Sequence, residues 1–225
     1  MHETMYFDYG EKEPEYLKKR DPVLGVAIEK IGHIHRKIIP DTFIALVNSI
    51  VGQQISTKAQ TTVWARILEQ FSPVTPETIA AVSEERLQAC GISLRKASYI
   101  KKIADTIIDG RLDLTHLQSL SDSEVCRCLS SIEGIGVWTA EMLMIFSMQR
   151  PDIMSFGDLA ILRGLRMLYH HRKITPKLFA KYKRRYYPYA TVASLYLWAI
   201  AGGACSNITT IHSSNTTGKI KTTNN

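Results

Sequence analysis

The chain of 225 residues is 45% apolar and 22% charged, ordinary values for a soluble globular protein and enough for one large domain or two small lobes with a full hydrophobic core. Its 28 Lys plus Arg against 21 Asp plus Glu leave a formal charge of +7, which favours an anionic partner, nucleic acid before membrane, although the same excess can serve solubility alone. No stretch approaches the roughly 18 apolar residues of a membrane span, and MHETMYFDYGEKEPEYLKKR at the N-terminus lacks the apolar run of a signal peptide, so an intracellular protein is expected.

Nearly every predicted element is a helix. An N-terminal arm and helix occupy residues 1–37. Asp41 is placed to cap TFIALVNSIVGQQ and Ser56 to cap TKAQTTVWARILEQF. Pro76 sits at a first helical position in TPETIAAV. SLRKASYIKKIADTIIDG shows a 3.6-residue apolar rhythm and closes on Gly110. Ser121 and Glu124 form a capping box ahead of VCRCLSSI. Beyond EGIG comes the apolar VWTAEMLMIFSM, then Asp158 in position to begin another helix, then TPKLFAKYKRRYY with Pro176 at its start, and finally YPYATVASLYLWAI. The polar tail, residues 204–225, reads as disordered. No strand alternation lasts more than a few residues, which predicts an all-α fold of about ten helices.

The cysteines add no metal chemistry. Cys90, Cys126, Cys128 and Cys205 contain no C-x2-C pair, and Cys126 and Cys128 diverge by being two apart on a helix. Free thiols in a reducing compartment are expected.

Glu133-Gly134-Ile135-Gly136 joins two apolar helical stretches through two glycines. Glycine lets a backbone turn tightly and lets a partner approach without meeting a Cβ. The N–H groups of Gly136 and of the following helical turn lack carbonyl partners, and the helix dipole there favours an anion such as a DNA phosphate. A plain αα-turn remains the bland alternative, because Gly-x-Gly alone is a weak signal.

The combination of GIGVWTA, a following apolar helix and GDLAILRG resembles the helix-hairpin-helix (HhH-GPD) superfamily of base-excision DNA glycosylases. FIALVNSIVGQQISTKAQTTVWARI, RKASYIKKIA and YPYATVASLYLWAI narrow the resemblance to the 3-methyladenine DNA glycosylase II (AlkA-like) family, over roughly residues 20–203. The resemblance implies two helical lobes with the active site between them. One lobe would be residues 38–152; the other would combine the N-terminal helix with residues 153–203.

It also implies roles. Asp158, otherwise an ordinary N-cap, matches the catalytic aspartate, which would stabilise oxocarbenium character at the sugar and orient water. Trp138 stands where bifunctional relatives carry a Schiff-base lysine, so the enzyme should be monofunctional and leave an abasic site. Trp138 and Trp198, either of which could be core, would form a pocket for a flipped, cationic base, with Met142 as a third wall in place of an aromatic. Gly134, Gly136 and Thr139 would contact a phosphate. Gln54 would fill the gap left by the flipped base, with Gln53 beside it, although two glutamines at a helix end could simply cap it. Ser56 and Lys58 would contact DNA, and Ser93 and Leu94, in the loop before RKASYI, would face the opposite strand. The carbonyls of Ser130, Ile132 and Ile135 would offer a seat for a monovalent cation; no metal or other cofactor is expected in catalysis.

Ala190 departs from an arginine of some relatives, and KLFAKYKRRYY reads as a solvated face adding to a nonspecific field. The expected partner is double-stranded DNA carrying alkylated bases, bound by a monomer with no obligate protein partner. The rival readings are a uracil or mismatch glycosylase on the same scaffold and a non-catalytic helix-hairpin-helix DNA-binding module. The latter would make no use of Asp158 or the paired tryptophans.

Overall fold

The computed structural model describes residues 5–204; Cys205 and the rest of the polar tail lie outside the described residues. Among these there are twelve α-helices and no strand, only an isolated antiparallel bridge between Tyr6 and Lys37. The helices are α1 (Lys12–Arg20), α2 (Pro22–Ile31), α3 (Thr42–Gly52), α4 (Thr57–Phe71), α5 (Pro76–Ala80), α6 (Glu84–Ala89), α7 (Leu94–Ile108), α8 (Asp122–Ser130), α9 (Val137–Phe146), α10 (Leu159–Tyr169), α11 (Pro176–Tyr186) and α12 (Ala190–Ala201), with a short 3-10 helix at His116–Ser119. The expected caps are present: the side chains of Asp41 and Ser56 accept first-turn N–H groups, and Ser121 with Glu124 closes a capping box; Thr75, ahead of Pro76, is a further cap that was not expected. Ser93 is the N-cap of α7 and Leu94 its first residue, so both belong to that helix and not to the loop before it.

Two helices are apolar all round and therefore become interior. α3 buries Phe43, Ala45, Leu46, Val47, Ile50 and Val51, and packs on α4, α7 and α9. α12 buries all but its Trp198 and Ala199, and packs on α2, α10 and α11. At the crossing of α10 with α12 a Cβ on Gly164 would lie 2.9 Å from the Leu197 carbonyl carbon, so only glycine permits this approach.

Helix contacts thus fall into two lobes, α3–α9 and α1, α2 with α10–α12. The N-terminal helices are held to the second lobe by Asp21, which is 1% exposed. Its Oδ1 caps α2 through the N–H groups of Val23 and Leu24, while its Oδ2 accepts from Tyr169 Oη at 2.7 Å and Arg185 at 2.6 Å. An unpaired carboxylate at that depth would be costly, so this bond set fixes how the two segments meet. It also corrects the reading of KLFAKYKRRYY: one face of α11 is solvated, but Phe179, Tyr182 and Tyr186 are core and Arg185 is an anchor.

Residues 146–153 knit the lobes together. Phe146 O accepts from Ile39 N, Ser147 Oγ donates to Pro40 O, and one guanidinium nitrogen of Arg150 donates to three carbonyls at 3.0 Å, those of Leu117, Gln118 and Leu120. Thr191 of α12 then holds both Arg150 O and Ile153 N. The short segment from Met154 to Gly157 leads from this joint directly to Asp158.

Candidate active site

Asp158 is 7% exposed and caps α10, accepting from Ala160 N and Ile161 N, each at 2.9 Å, on Oδ1. Two more donors arrive from the other elements. Trp198 Nε1 of α12 donates to Oδ1 at 3.1 Å, and Trp138 Nε1 of α9 donates to Oδ2 at 3.0 Å. Four N–H groups therefore converge on an acceptor-only carboxylate, and their arrangement is asymmetric. Oδ1 holds three donors; Oδ2 holds one and keeps room for a water or a developing positive charge. The cap and the site are one device. The backbone cap is worth about 1 kcal/mol, and the same bonds fix the carboxylate's direction.

The sequence placed the tryptophans as stacking walls, and the structure adds that both point their indole N–H at the aspartate. Trp138 remains 44% exposed, so its ring face is open to a ligand. Trp198 is half-buried: Phe146 lies against it at 5.5 Å between centroids, and the Arg36 guanidinium covers both rings, 4.9 Å from Phe146 and 5.9 Å from Trp198. Met142, expected as the third wall, is only 7% exposed and belongs to the core. The aromatic beside Trp198 is instead Phe146, two turns after Trp138 on the same face of α9. Spacing along α9 could have found it; Arg36 comes from the α2–α3 connection and left no such signal. Val137, Phe156 and Leu159, neighbours in sequence of Trp138 and Asp158, expose apolar surface on the same ends of α9 and α10, with Leu159 81% exposed.

A second carboxyl was also missed. Glu141, one turn after Trp138, is half-buried; burial pushes its pKa up, the Ser155 hydroxyl and Lys183 oppose this, and the Asp158 charge adds a smaller push upward. None of the described histidines hydrogen-bonds to Asp158. His33 stacks on Tyr9, His35 meets Tyr6 edge-on, His170 ends α10 and His171 pairs with Tyr182 Oη.

The glycine hairpin ends α8 and begins α9. Gly134 has φ +91°, and a Cβ there would lie within 3.0 Å of Tyr99, so this glycine is required by the protein itself. Gly136 differs. It is an extended N-cap without a side-chain cap, and a Cβ on it would meet nothing within 4 Å. Ala140 N is bonded to Gly136 O, which leaves the N–H groups of Val137, Trp138 and Thr139 as the open donors of α9. Thr139 itself is 4% exposed. Of the three carbonyls expected to seat a cation, that of Ile132 already accepts from Ile135 N at 3.1 Å; each carbonyl has two lone pairs, so this leaves one available. Among the described residues no cluster of His, Cys, Asp or Glu is suited to a metal.

Beside the hairpin a groove of about 480 Å³ is lined in part by Gln53, Gln54, Ser93, Lys96, Gly134 and Gly136. Gln53 does not reach outward: its Nε2 donates to Gly134 O at 2.9 Å. Gln54 is exposed, makes no side-chain hydrogen bond among the described residues, and holds φ +57°, a conformation that costs a non-glycine residue about 1–3 kcal/mol. Ser56 spends its hydroxyl on the cap of α4, and Lys58 in the first turn is exposed. Ala190, where some relatives have arginine, is fully buried.

These features define the protein by class: a two-lobed, all-helical protein in which a glycine hairpin presents a helix N-terminus close to a carboxylate held by two tryptophans. The chain belongs to the HhH-GPD superfamily of base excision DNA repair proteins, whose family model matches residues 47–188. It is 37% identical over 160 residues to DNA-3-methyladenine glycosylase 1 of Schizosaccharomyces pombe, spanning 68% of this chain and 69% of that one. It is 26% identical to the DNA-3-methyladenine glycosylase of Saccharomyces cerevisiae, over 83% of this chain and 78% of the relative. The fold matches the crystal structure of a DNA-3-methyladenine glycosidase from Bacillus halodurans with a TM-score of 0.79 at 35% identity, covering 91% of this chain and 95% of that one. It matches an S. pombe 3-methyladenine DNA glycosylase in complex with abasic DNA with a TM-score of 0.74 at 32% identity, over 84% and 95% of the two chains. The protein is thus a DNA glycosylase by family. No described helix is long and apolar enough to cross a membrane.

Proposed function

We propose that the protein is a monofunctional DNA-3-methyladenine glycosylase of the type II, AlkA-like kind, acting as a monomer on alkylated purines in duplex DNA. The observation that carries the reading is the Asp158 carboxylate, buried at the head of α10 and held by both Trp138 and Trp198. A non-catalytic DNA-binding module would have no use for that convergence. The names of the similar proteins, 3-methyladenine glycosylases from two yeasts and a bacterium, favour the alkylated base.

In this reading a phosphate binds the open N–H groups of α9 and the target nucleotide leaves the stack, its gap filled by Gln54. The base lodges against the face of Trp138, opposite the aromatic pair of Trp198 and Phe146. As the N-glycosidic bond lengthens, positive charge grows at the sugar, and Asp158 Oδ2 stabilises it and orients the attacking water. The products are free base and an abasic site. Bases alkylated at a ring nitrogen leave as neutral molecules from cationic precursors and need little help from a general acid. That matches a site whose Asp158 has no histidine partner. Trp138 at the position of a Schiff-base lysine makes strand cleavage by the enzyme unexpected.

The test is a panel of single-lesion duplexes. Fast release of 3-methyladenine, slower release of 7-methylguanine, poor activity on uracil, and no borohydride-trapped protein–DNA adduct are expected. Faster release of uracil than of 3-methyladenine would move the protein to the uracil or mismatch reading, and an efficient adduct would end the monofunctional one.

A further inference from the structure

The groove beside the hairpin contains a lysine whose charge is turned away from the DNA side. Lys96, in the first turn of α7, is partly buried and donates its ammonium to two carbonyls at the end of α3, Val51 O at 2.9 Å and Gln53 O at 2.6 Å. These are carbonyls that a helix end leaves short of partners, and a cation there also complements the helix dipole. Gln53 N is bonded back to Ile50 O at 3.2 Å, and Gln53 Nε2 reaches Gly134 O in the hairpin at 2.9 Å. The next residue, Gln54, takes up φ +57° with its side chain exposed.

The same helix braces the hairpin. Tyr99 packs under Gly134, where its ring excludes any Cβ, and is itself held by Arg95 Nε; Lys102 pairs with Glu133. Lys96, Tyr99 and Lys102 are three residues apart on one face of α7. One rigid helix therefore holds the turn bearing Gln54 at its start and the phosphate-facing hairpin over its next two turns.

We propose that Lys96 is a positioning residue for base flipping: by clamping the end of α3 it fixes Gln54 in register with the glycine hairpin, so that the phosphate grip and the wedge act on the duplex as one unit. The proposal rests on the glycosylase reading above and goes beyond it by assigning the link between its two DNA contacts. Without the ammonium, the Val51 and Gln53 carbonyls would turn toward water, and the left-handed Gln54 would relax. The hairpin N–H groups would still bind phosphate, but binding would no longer press a residue into the base stack.

The experiment compares wild type with Lys96→Met and Lys96→Arg in the full chain, using two duplexes. The first carries 2-aminopurine, whose fluorescence rises on unstacking whatever the lesion preference. The second carries 3-methyladenine, either in a matched pair or in an unpaired bulge. Lys96→Met is expected to bind duplex within about twofold of wild type. It should show at least about tenfold slower unstacking and matched-duplex excision, the scale of losing a hydrogen bond from a charged donor. Excision from the bulge, where little flipping cost remains, should stay within about twofold of wild type. Lys96→Arg, which keeps charge and donors, should recover most of the loss.

Equal losses on matched and bulged substrate, no loss on either, or no unstacking by wild type would each overturn the proposal. Should Lys96→Met fail to fold, Gln53→Met removes the other tie in the bracket and must show the same matched-against-bulged split. Wild-type protein that unstacks 2-aminopurine but releases no 3-methyladenine would instead sink the substrate reading and leave the Lys96 comparison on 2-aminopurine to stand by itself.

Discussion

Replacing Trp138 separates two tasks that the sequence merged. Trp138→Phe keeps an aromatic face for a base but deletes the N–H that meets Asp158 Oδ2 at 3.0 Å. Among the described residues that bond is the one made to Oδ2, so its loss frees the oxygen proposed to face the sugar while the three donors on Oδ1 remain. A hydrogen bond to a charged group is worth about 1.5–3 kcal/mol. If that much orientation is lost from the transition state, excision slows by about 10- to 150-fold. The loss should be the same for every base, because the contact is to the enzyme's own carboxylate.

Trp138→Ala removes the face as well. A cation–π contact of about 0.5–2 kcal/mol then adds a further 2- to 30-fold on cationic bases such as 7-methylguanine, and little on neutral hypoxanthine. Because Trp138 is 44% exposed, neither change should lower stability by more than about 1 kcal/mol, some 2–4 °C in Tm for a chain of this size. The assay is single-turnover release of each base at saturating enzyme, with Tm measured in parallel. Wild-type rates in Trp138→Phe would refute the orienting role of the indole N–H. Equal losses for cationic and neutral bases in Trp138→Ala would refute the stacking role.

The two hairpin glycines should part company. Gly134→Ala forces a Cβ against Tyr99 and strains φ +91°, so it should lower Tm and disturb the fold, whereas Gly136→Ala should leave Tm unchanged and weaken duplex binding in a fluorescence-anisotropy titration. Equal stability of the two variants would contradict that division. Glu141→Gln tests the second carboxyl. A raised carboxyl pKa means the folded protein holds the proton more tightly than the unfolded chain, so stability falls as pH rises from the ordinary glutamate value of 4.5 through the raised one. Glu141→Gln should therefore gain stability relative to wild type at pH 8 and lose that advantage near pH 4, as read from urea midpoints; a pH-independent difference would show that Glu141 ionises normally.

What the sequence revealed was local. Asp41, Ser56 and the Ser121–Glu124 box bond to residues two or three positions away, so their patterns are written within a few letters, and each cap is where it was expected. Asp158 was legible as a cap for the same reason, and its surrounding motif is what suggested the catalytic role proposed above. Contacts between distant segments were not legible. Asp21 meets Tyr169 and Arg185, Arg36 covers Phe146 and Trp198, and Lys96 clamps the end of α3; none of these pairings has a spacing that betrays it. The partner of Gln53 was not legible either, because a glutamine at a helix end is equally suited to solvent, DNA or a neighbouring carbonyl, and here Gly134 O takes it. Met142 was proposed from a family position, whereas the aromatic found against Trp198 is Phe146, one turn further along the helix.

In the proposed reaction Asp158 supplies the charge that stabilises the sugar as the base departs. Single-turnover excision of 3-methyladenine by Asp158→Asn, with duplex affinity and Tm measured on the same preparation, tests it most directly. Asparagine keeps an oxygen for Ala160 N, Ile161 N and Trp198 Nε1, so α10 stays capped; its amide takes the place of the oxygen that accepts from Trp138, a residue 44% exposed. Fold and binding should be retained with excision slowed by about 100- to 1,000-fold or more, the scale of removing one electrostatic stabiliser from a transition state. Excision within about tenfold of wild type, with binding intact, would contradict this role of Asp158 and require another group to carry the chemistry.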